Sequence, residues 1–356
     1  MKQPGTVEIY ALPRLKYLKS FYGKMKKRIT RGGFSLSIIF IYLLAVPVSS
    51  WSFRGKDSGL QIMLPPDKSV VSERLIGVVL STHGNPETVL LTVNGKDYPP
   101  LRTKDSYICK EIGLTEGMNK IDLRVVGKDG VNKGKTLSIF LSSALSERLK
   151  SPPAGFRPYH FHRSEHVREC SRCHEMKARQ SDANPGSPEL SSCYACHKEI
   201  TGYRFMHGSV SVWSCTRCHS GSDNELGSAG PVSKLCFSCH YNEMKTWTAR
   251  KHAHGPFALG ACTICHNPHA SDDPFFLRKK TTDLCLSCHA DKASGAHVVS
   301  GFSGSGHPVR GRPDPRNPKK ELTCASCHNP HASDFAFLLF KDLGDKSSFC
   351  RTCHTF

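Results

Sequence analysis

Cys262–Ser271 reads CTICHNPHAS and Cys324–Ser333 reads CASCHNPHAS, one ten-residue pattern repeated 62 positions apart. Working outward, the pentad C-x-x-C-H occurs six more times, always after residue 158. The eight cysteine pairs are Cys170/Cys173, Cys193/Cys196, Cys215/Cys218, Cys236/Cys239, Cys262/Cys265, Cys285/Cys288, Cys324/Cys327 and Cys350/Cys353. The histidines that close them are His174, His197, His219, His240, His266, His289, His328 and His354. The pentads pair up. Alternate first cysteines fall at 170, 215, 262 and 324, and the second pentad of each pair starts 23, 21, 23 or 26 residues later. This is an internal repeat of four two-motif modules. The segment GRPDPRNPKKEL is a Pro-rich insertion that lengthens the last step.

C-x-x-C-H is the attachment signal for c-type haem. Two thiols one short turn apart add to the two vinyl groups of a porphyrin, and the next residue then offers a nitrogen to the iron. The chain has 19 histidines in 356 residues, so a histidine after every one of eight C-x-x-C pairs is not accidental. Structural zinc does not require histidine directly after each pair. A disulfide framework would not repeat C-x-x-C eight times, and a thioredoxin-like motif would occur once. At about 25 residues per motif there is too little chain for a conventional core. The porphyrins must be the core, wrapped by short helices and loops, and folding should require the cofactor.

These motifs, above all HGPFALGACTICHNPHAS and CASCHNPHAS, resemble the multihaem c-type cytochromes with doubled CxxCH motifs, over residues 156–356. The resemblance implies eight covalently bound haem c groups and a role in moving electrons across or beyond the envelope of an anaerobically respiring bacterium.

Eight haems need eight further axial ligands, and ten histidines of this region lie outside the pentads: His160, His162, His166, His207, His252, His254, His269, His297, His307 and His331. His162, His207 and His254 each precede the first cysteine of a module by eight residues, and His307 matches them across the insertion. His269 and His331 stand three residues after a pentad histidine, in N-P-H. Such a residue cannot easily reach the far face of its own pentad's haem and is better placed for a neighbouring one, as the family resemblance also implies. His166 and His297 complete the expected set. With histidine in excess, Met176, Met206 and Met244 are not expected to coordinate, which implies low potentials.

Residues 59–142 differ completely, holding one cysteine (Cys109) and one histidine (His83). LQIMLPP, LIGVVLS, TVLLTVNG, SYICKEIGL, NKIDLRVVGKDG and KTLSIFLS read as short strands, with a hairpin turn at Val93–Lys96. The expectation is a β-sandwich. VNGKDYPP and GLTEGMNKIDLRVVGKDG resemble bacterial immunoglobulin-like domains. His83 is not expected to be a ligand, and Cys109 is read as a buried small hydrophobe. Residues 143–158, with Pro152, Pro153, Gly155 and Pro158, read as a linker, which leaves 159–356 as the octahaem domain. The expected fold is therefore multidomain: an all-β immunoglobulin-like sandwich followed by a haem-packed domain of short helices and loops.

Residues 1–50 carry a basic stretch, KMKKRITRGG, then the apolar run Phe34–Val48 and small residues at 48–50. This is a secretory signal pattern, with Met25 a possible translation start. The chain is expected to be exported to the periplasm or cell surface, the alternative being an uncleaved inner-membrane anchor. The formal charge of +19 includes a surplus of eight in these fifty residues, from nine Lys/Arg against one acid. Sixteen propionates on eight haems would absorb the rest, so the charge is not a nucleic-acid footprint. Expected partners are envelope redox proteins: a quinol-oxidising complex, and periplasmic or outer-membrane cytochromes. Self-association is a further possibility. The expected function is electron conduction without catalysis. The alternatives are a multihaem reductase of nitrite, hydroxylamine or tetrathionate, and a subunit of a polymeric cytochrome filament. A reductase needs an exchangeable haem position, and no pentad here departs from histidine.

Overall fold

The computed structural model describes residues 60–355 apart from 83–87, 102–106, 127–129, 131–132, 172–173, 221–226, 229–230, 294–296, 298–306 and 343–345. The export segment of residues 1–50, His83 and Cys173 lie outside the described residues.

Alternating apolar residues build the strands β1 (Leu60–Leu64), β2 (Ser69–Val71), β3 (Leu75–Thr82), β4 (Thr88–Val93), β5 (Lys96–Asp97), β6 (Tyr107–Gly113), β7 (Gly117–Val126) and β8 (Lys133–Leu141), and Arg157–Pro158 adds β9. Strands β1, β3 and β6 form one sheet in the order β1-β3-β6. The other sheet runs β5-β4-β7-β8-β2-β9. It is antiparallel except where β2 meets β8 and β9 in parallel. Residues two apart share a face of a strand, so Val89, Leu91, Ile121, Leu123, Leu137 and Ile139 meet Leu60, Val78, Leu80 and Ile112 in one core between the sheets. Each such side chain contributes about 1.5–3 kcal/mol on burial.

Two turns set the register. Asn94 and Gly95 both have positive φ, 51° and 80°, the backbone of the two-residue hairpin that joins β4 to β5. Asn119 is 1% exposed. Its Oδ1 accepts from the Thr115 N–H, while its amide donates to the carbonyls of Thr115 and Gly117. Replacing Asn119 with Ala strands these buried groups. The expected cost is about 1–3 kcal/mol, read as a lower denaturation midpoint of the sheet region with an unchanged haem spectrum.

Two expectations change here. Cys109 is exposed, not buried. Strand alternation turns Ile108 and Ile112 into the core and leaves Tyr107 and Cys109 on the outer face of β6. The segment 143–158 is also more than a tether. Leu145 packs with Ile264 and Leu284, and β9 extends the larger sheet at its edge. Gly55–Phe356 form one compact unit.

Beyond residue 158 the described helices are short, the longest being Val232–Cys239 and Tyr241–Thr248 at eight residues each. Among the described residues no helix is long and apolar enough to cross a membrane. Leu259, Phe275 and Phe337 are exposed in this region, as expected of chain whose apolar partner is not another piece of polypeptide.

Candidate haem sites

Seven of the eight motifs close a single helical turn. The N–H of the pentad histidine donates to the carbonyl of the first cysteine in motifs 1, 2, 4, 5, 6, 7 and 8, at 2.9–3.0 Å. Positions i, i+3 and i+4 of a turn share one face, so both thiols and the imidazole point the same way. That is the presentation a porphyrin needs for two thioether bonds and one axial nitrogen.

Seven pentad histidines face a second histidine from elsewhere in the chain. The ring-centroid separations are 5.9 Å for His197–His162, 5.8 Å for His219–His269 and 6.1 Å for His240–His207. They are 5.9 Å for His266–His331, 6.2 Å for His289–His254, 6.0 Å for His328–His297 and 6.2 Å for His354–His307. Two imidazoles bound to opposite sides of one metal, with metal–nitrogen bonds of about 2 Å, bring their centroids to about 6.2 Å. The Nε2 atoms of His219 and His269 are 3.5 Å apart, close to the sum of two such bonds. The histidine pairs therefore fit an iron held on both faces. Among the described residues no three His, Cys, Asp or Glu side chains converge as a closed metal site would require. Burial lowers the pKa of His162, His207, His254 and His297 and takes His197 and His331 down to about 4. All six are neutral at neutral pH, the form that coordinates a metal. His166 is placed differently: it stacks on Tyr159 at 4.2 Å, and its Nδ1 lies 2.6 Å from the His160 carbonyl.

The pairing has a backbone cause. Phe205–Met206 pairs with Ala270–Ser271, and His252–Ala253 pairs with Ala332–Ser333. Each two-residue ladder ends in a further bond, from the His207 N–H to the His269 carbonyl and from the His254 N–H to the His331 carbonyl, at 3.0 and 2.8 Å. One clamp thus holds the histidines that face both motifs of a module. One lies eight residues before that module, and the other comes from the N-P-H of the next module.

A second device orients the pentad rings. Phe275 and Phe276, and likewise Phe337 and Leu338, take positive φ of 56–59°, which costs L-residues about 1–2 kcal/mol each. The turn aims the Phe275 carbonyl at His266 Nδ1 (2.8 Å) and the Phe337 carbonyl at His328 Nδ1 (2.7 Å). With Nδ1 occupied, Nε2 is left for the metal. Sequence reasoning missed this pair. Its signal is an apolar dipeptide nine residues after the pentad histidine in modules three and four alike.

The motifs also touch in chain order. The first cysteines of motifs 2 and 3 (Cys193, Cys215), 4 and 5 (Cys236, Cys262) and 6 and 7 (Cys285, Cys324) lie next to each other. Within modules the second cysteines are neighbours: Cys218 of Cys239, Cys265 of Cys288, and Cys327 of Cys353. Contacts alternating between first and second cysteines make motifs 2 to 8 a single file.

The model of the doubled CXXCH motif matches residues 254–294 and 317–356. The chain is also similar to "Multiheme cytochrome MtrA" of Shewanella baltica (strain OS185), with 25% identity over 203 residues, covering 49% of this chain and 55% of the relative. Together the two likenesses support a multihaem c-type cytochrome. The chain spans little more than half the length of that curated relative. Among solved structures the chain is similar to fibronectin(III)-like modules of Clostridium thermocellum CbhA, at 19% identity over 23% of this chain and 94% of that one, TM-score 0.20. It is also similar to a Bacteroides uniformis β-glucuronidase, at 18% identity over 24% and 11%, TM-score 0.19.

Proposed function

We propose that this cytochrome binds eight haem c groups, each held between two histidines, and conducts electrons along them in the order of its motifs. The seven facing histidine pairs carry the reading. Bound haem supplies reversible one-electron exchange between ferric and ferrous iron. The chain's part is to keep two neutral nitrogens on each iron, so that neither oxidation state opens a position to water or substrate. For motif 1 we assign His166, whose Nδ1 donates to the His160 carbonyl and leaves Nε2 available to His174's haem. The contacting motifs support hopping between neighbours from motif 2 to motif 8.

On this reading the protein is a carrier and not an enzyme. The sheet region is an immunoglobulin-like sandwich over 59–142, and 159–356 is the octahaem domain. The protein acts after export, exchanging electrons with other redox proteins of the envelope. Intact mass should exceed the polypeptide by eight haems, and the oxidised protein should be wholly low-spin by electron paramagnetic resonance. A substoichiometric high-spin haem that turns over nitrite, hydroxylamine or tetrathionate would replace this reading with a reductase.

A further inference from the structure

The outer face of β6 meets the second motif. Glu111 on that strand has a side chain only 7% exposed, and its Oε1 is 3.8 Å from His197 Nδ1. Its Oε2 accepts from the Glu199 backbone N–H at 3.1 Å. Lys110 reaches Glu199 at 3.3 Å, closing the contact. A carboxylate is costly to remove from water, and the sandwich core has no use for one on its outer face. Four other ring Nδ1 atoms meet neutral carbonyls: those of Phe275, Phe337, Pro330 and Pro308 for His266, His328, His254 and His307.

Two other carboxylates stand as near a motif histidine as Glu111 does. Glu73 Oε2 is 3.8 Å from His269 Nδ1, and Glu243 Oε2 is 3.9 Å from His240 Nδ1. Glu243 is 52% exposed, and Glu73 also feels the Arg278 cation. At equal distance, water screens an exposed charge far more than a buried one.

We propose that Glu111 of the sheet region is a positioning residue for His197, and that its buried charge makes the haem of motif 2 the most reducing in the file. A negative charge 3.8 Å from Nδ1 stabilises, through space, the extra positive charge of ferric over ferrous iron. The sheet region is thereby an electrostatic part of the conductor, and it biases the end of the file where it docks. This inference rests on His197 being a haem ligand.

The test is spectropotentiometric titration of the full holoprotein at fixed pH. Glu111→Gln keeps the side-chain shape and an acceptor for the Glu199 N–H while removing the charge. One haem is expected to lose about tenfold of its preference for the ferric state, an upward shift of about 59 mV for one electron, with haem mass and low-spin spectrum unchanged. Glu243→Gln should move its haem by clearly less. Unchanged midpoints in Glu111→Gln, or equal shifts in both variants, would overturn the proposal. If Glu111→Gln fails to incorporate haem, Glu111→Asp supplies the second reading. It keeps the charge, and the proposal then requires normal loading with all midpoints near wild type; a raised midpoint there overturns it. His197→Ala separates the two layers. If every haem stays low-spin in that variant, the ligand assignment itself has failed.

Discussion

Expressed without covalent haem, the chain is expected to be cut by protease throughout residues 159–355 while residues 60–141 stay protected. The asymmetry follows from where apolar surface is buried. Between the sheets lie Leu60, Val78, Leu80, Val89, Leu91, Ile121, Leu123, Leu137 and Ile139, each at most 2% exposed. Among the described residues past 158 the buried apolar side chains are few and scattered: Tyr159, Val167, Trp213, Ile264, Ala270, Leu284, Leu322, Ala332, Leu339 and Phe349. Such side chains contribute about 1.5–3 kcal/mol apiece, against about 1–2 kcal/mol to order the backbone of every residue. The motif region therefore depends on its cofactors for a core, as small metal-dependent domains do. Limited proteolysis with mass-spectrometric mapping, on protein made with and without the c-type maturation machinery, checks this. Equal protection of both regions in the apoprotein would show that polypeptide packing alone suffices.

His331→Ala is expected to convert one haem in eight from low-spin to high-spin and to give the oxidised protein a single site for an added ligand such as cyanide. The ring of His331 faces His266, and Trp247 stacks on its other side at 3.9 Å. The bonds that clamp it use its backbone: the His254 N–H donates to its carbonyl, and the ladder partners are its neighbours Ala332 and Ser333. Removing the imidazole therefore leaves the fold of modules three and four in place and opens one face of the motif-5 haem. Electron paramagnetic resonance and ligand-binding stoichiometry read the change directly. A variant that stays wholly low-spin would mean that a different side chain serves that iron.

The chemistry of the haem region was legible in the sequence because attachment is local. Two thioether bonds and one axial nitrogen come from a single turn, so Cys262, Cys265 and His266 must be near neighbours in the chain, and spacing alone exposes them. The strands were legible for a similar reason. A half-buried sheet writes its period of two directly into residues such as Ile121, Leu123 and Val125. The short edges β2, β5 and β9 escaped because two or three residues carry no period, and Cys109 was misplaced because composition does not say which face of β6 is outward. What only the tertiary structure decided is which imidazole faces which motif. The sequence offered ten free histidines for eight positions, and nothing local distinguishes them. The choice is made by chain folding back on itself: two-residue ladders set His269 over motif 3 and His331 over motif 5, each supplied by the following module. The single file of motifs and the approach of Glu111 to His197 are of the same kind. They join residues distant in sequence, through backbone hydrogen bonds and packing whose partners exist only once the chain has folded.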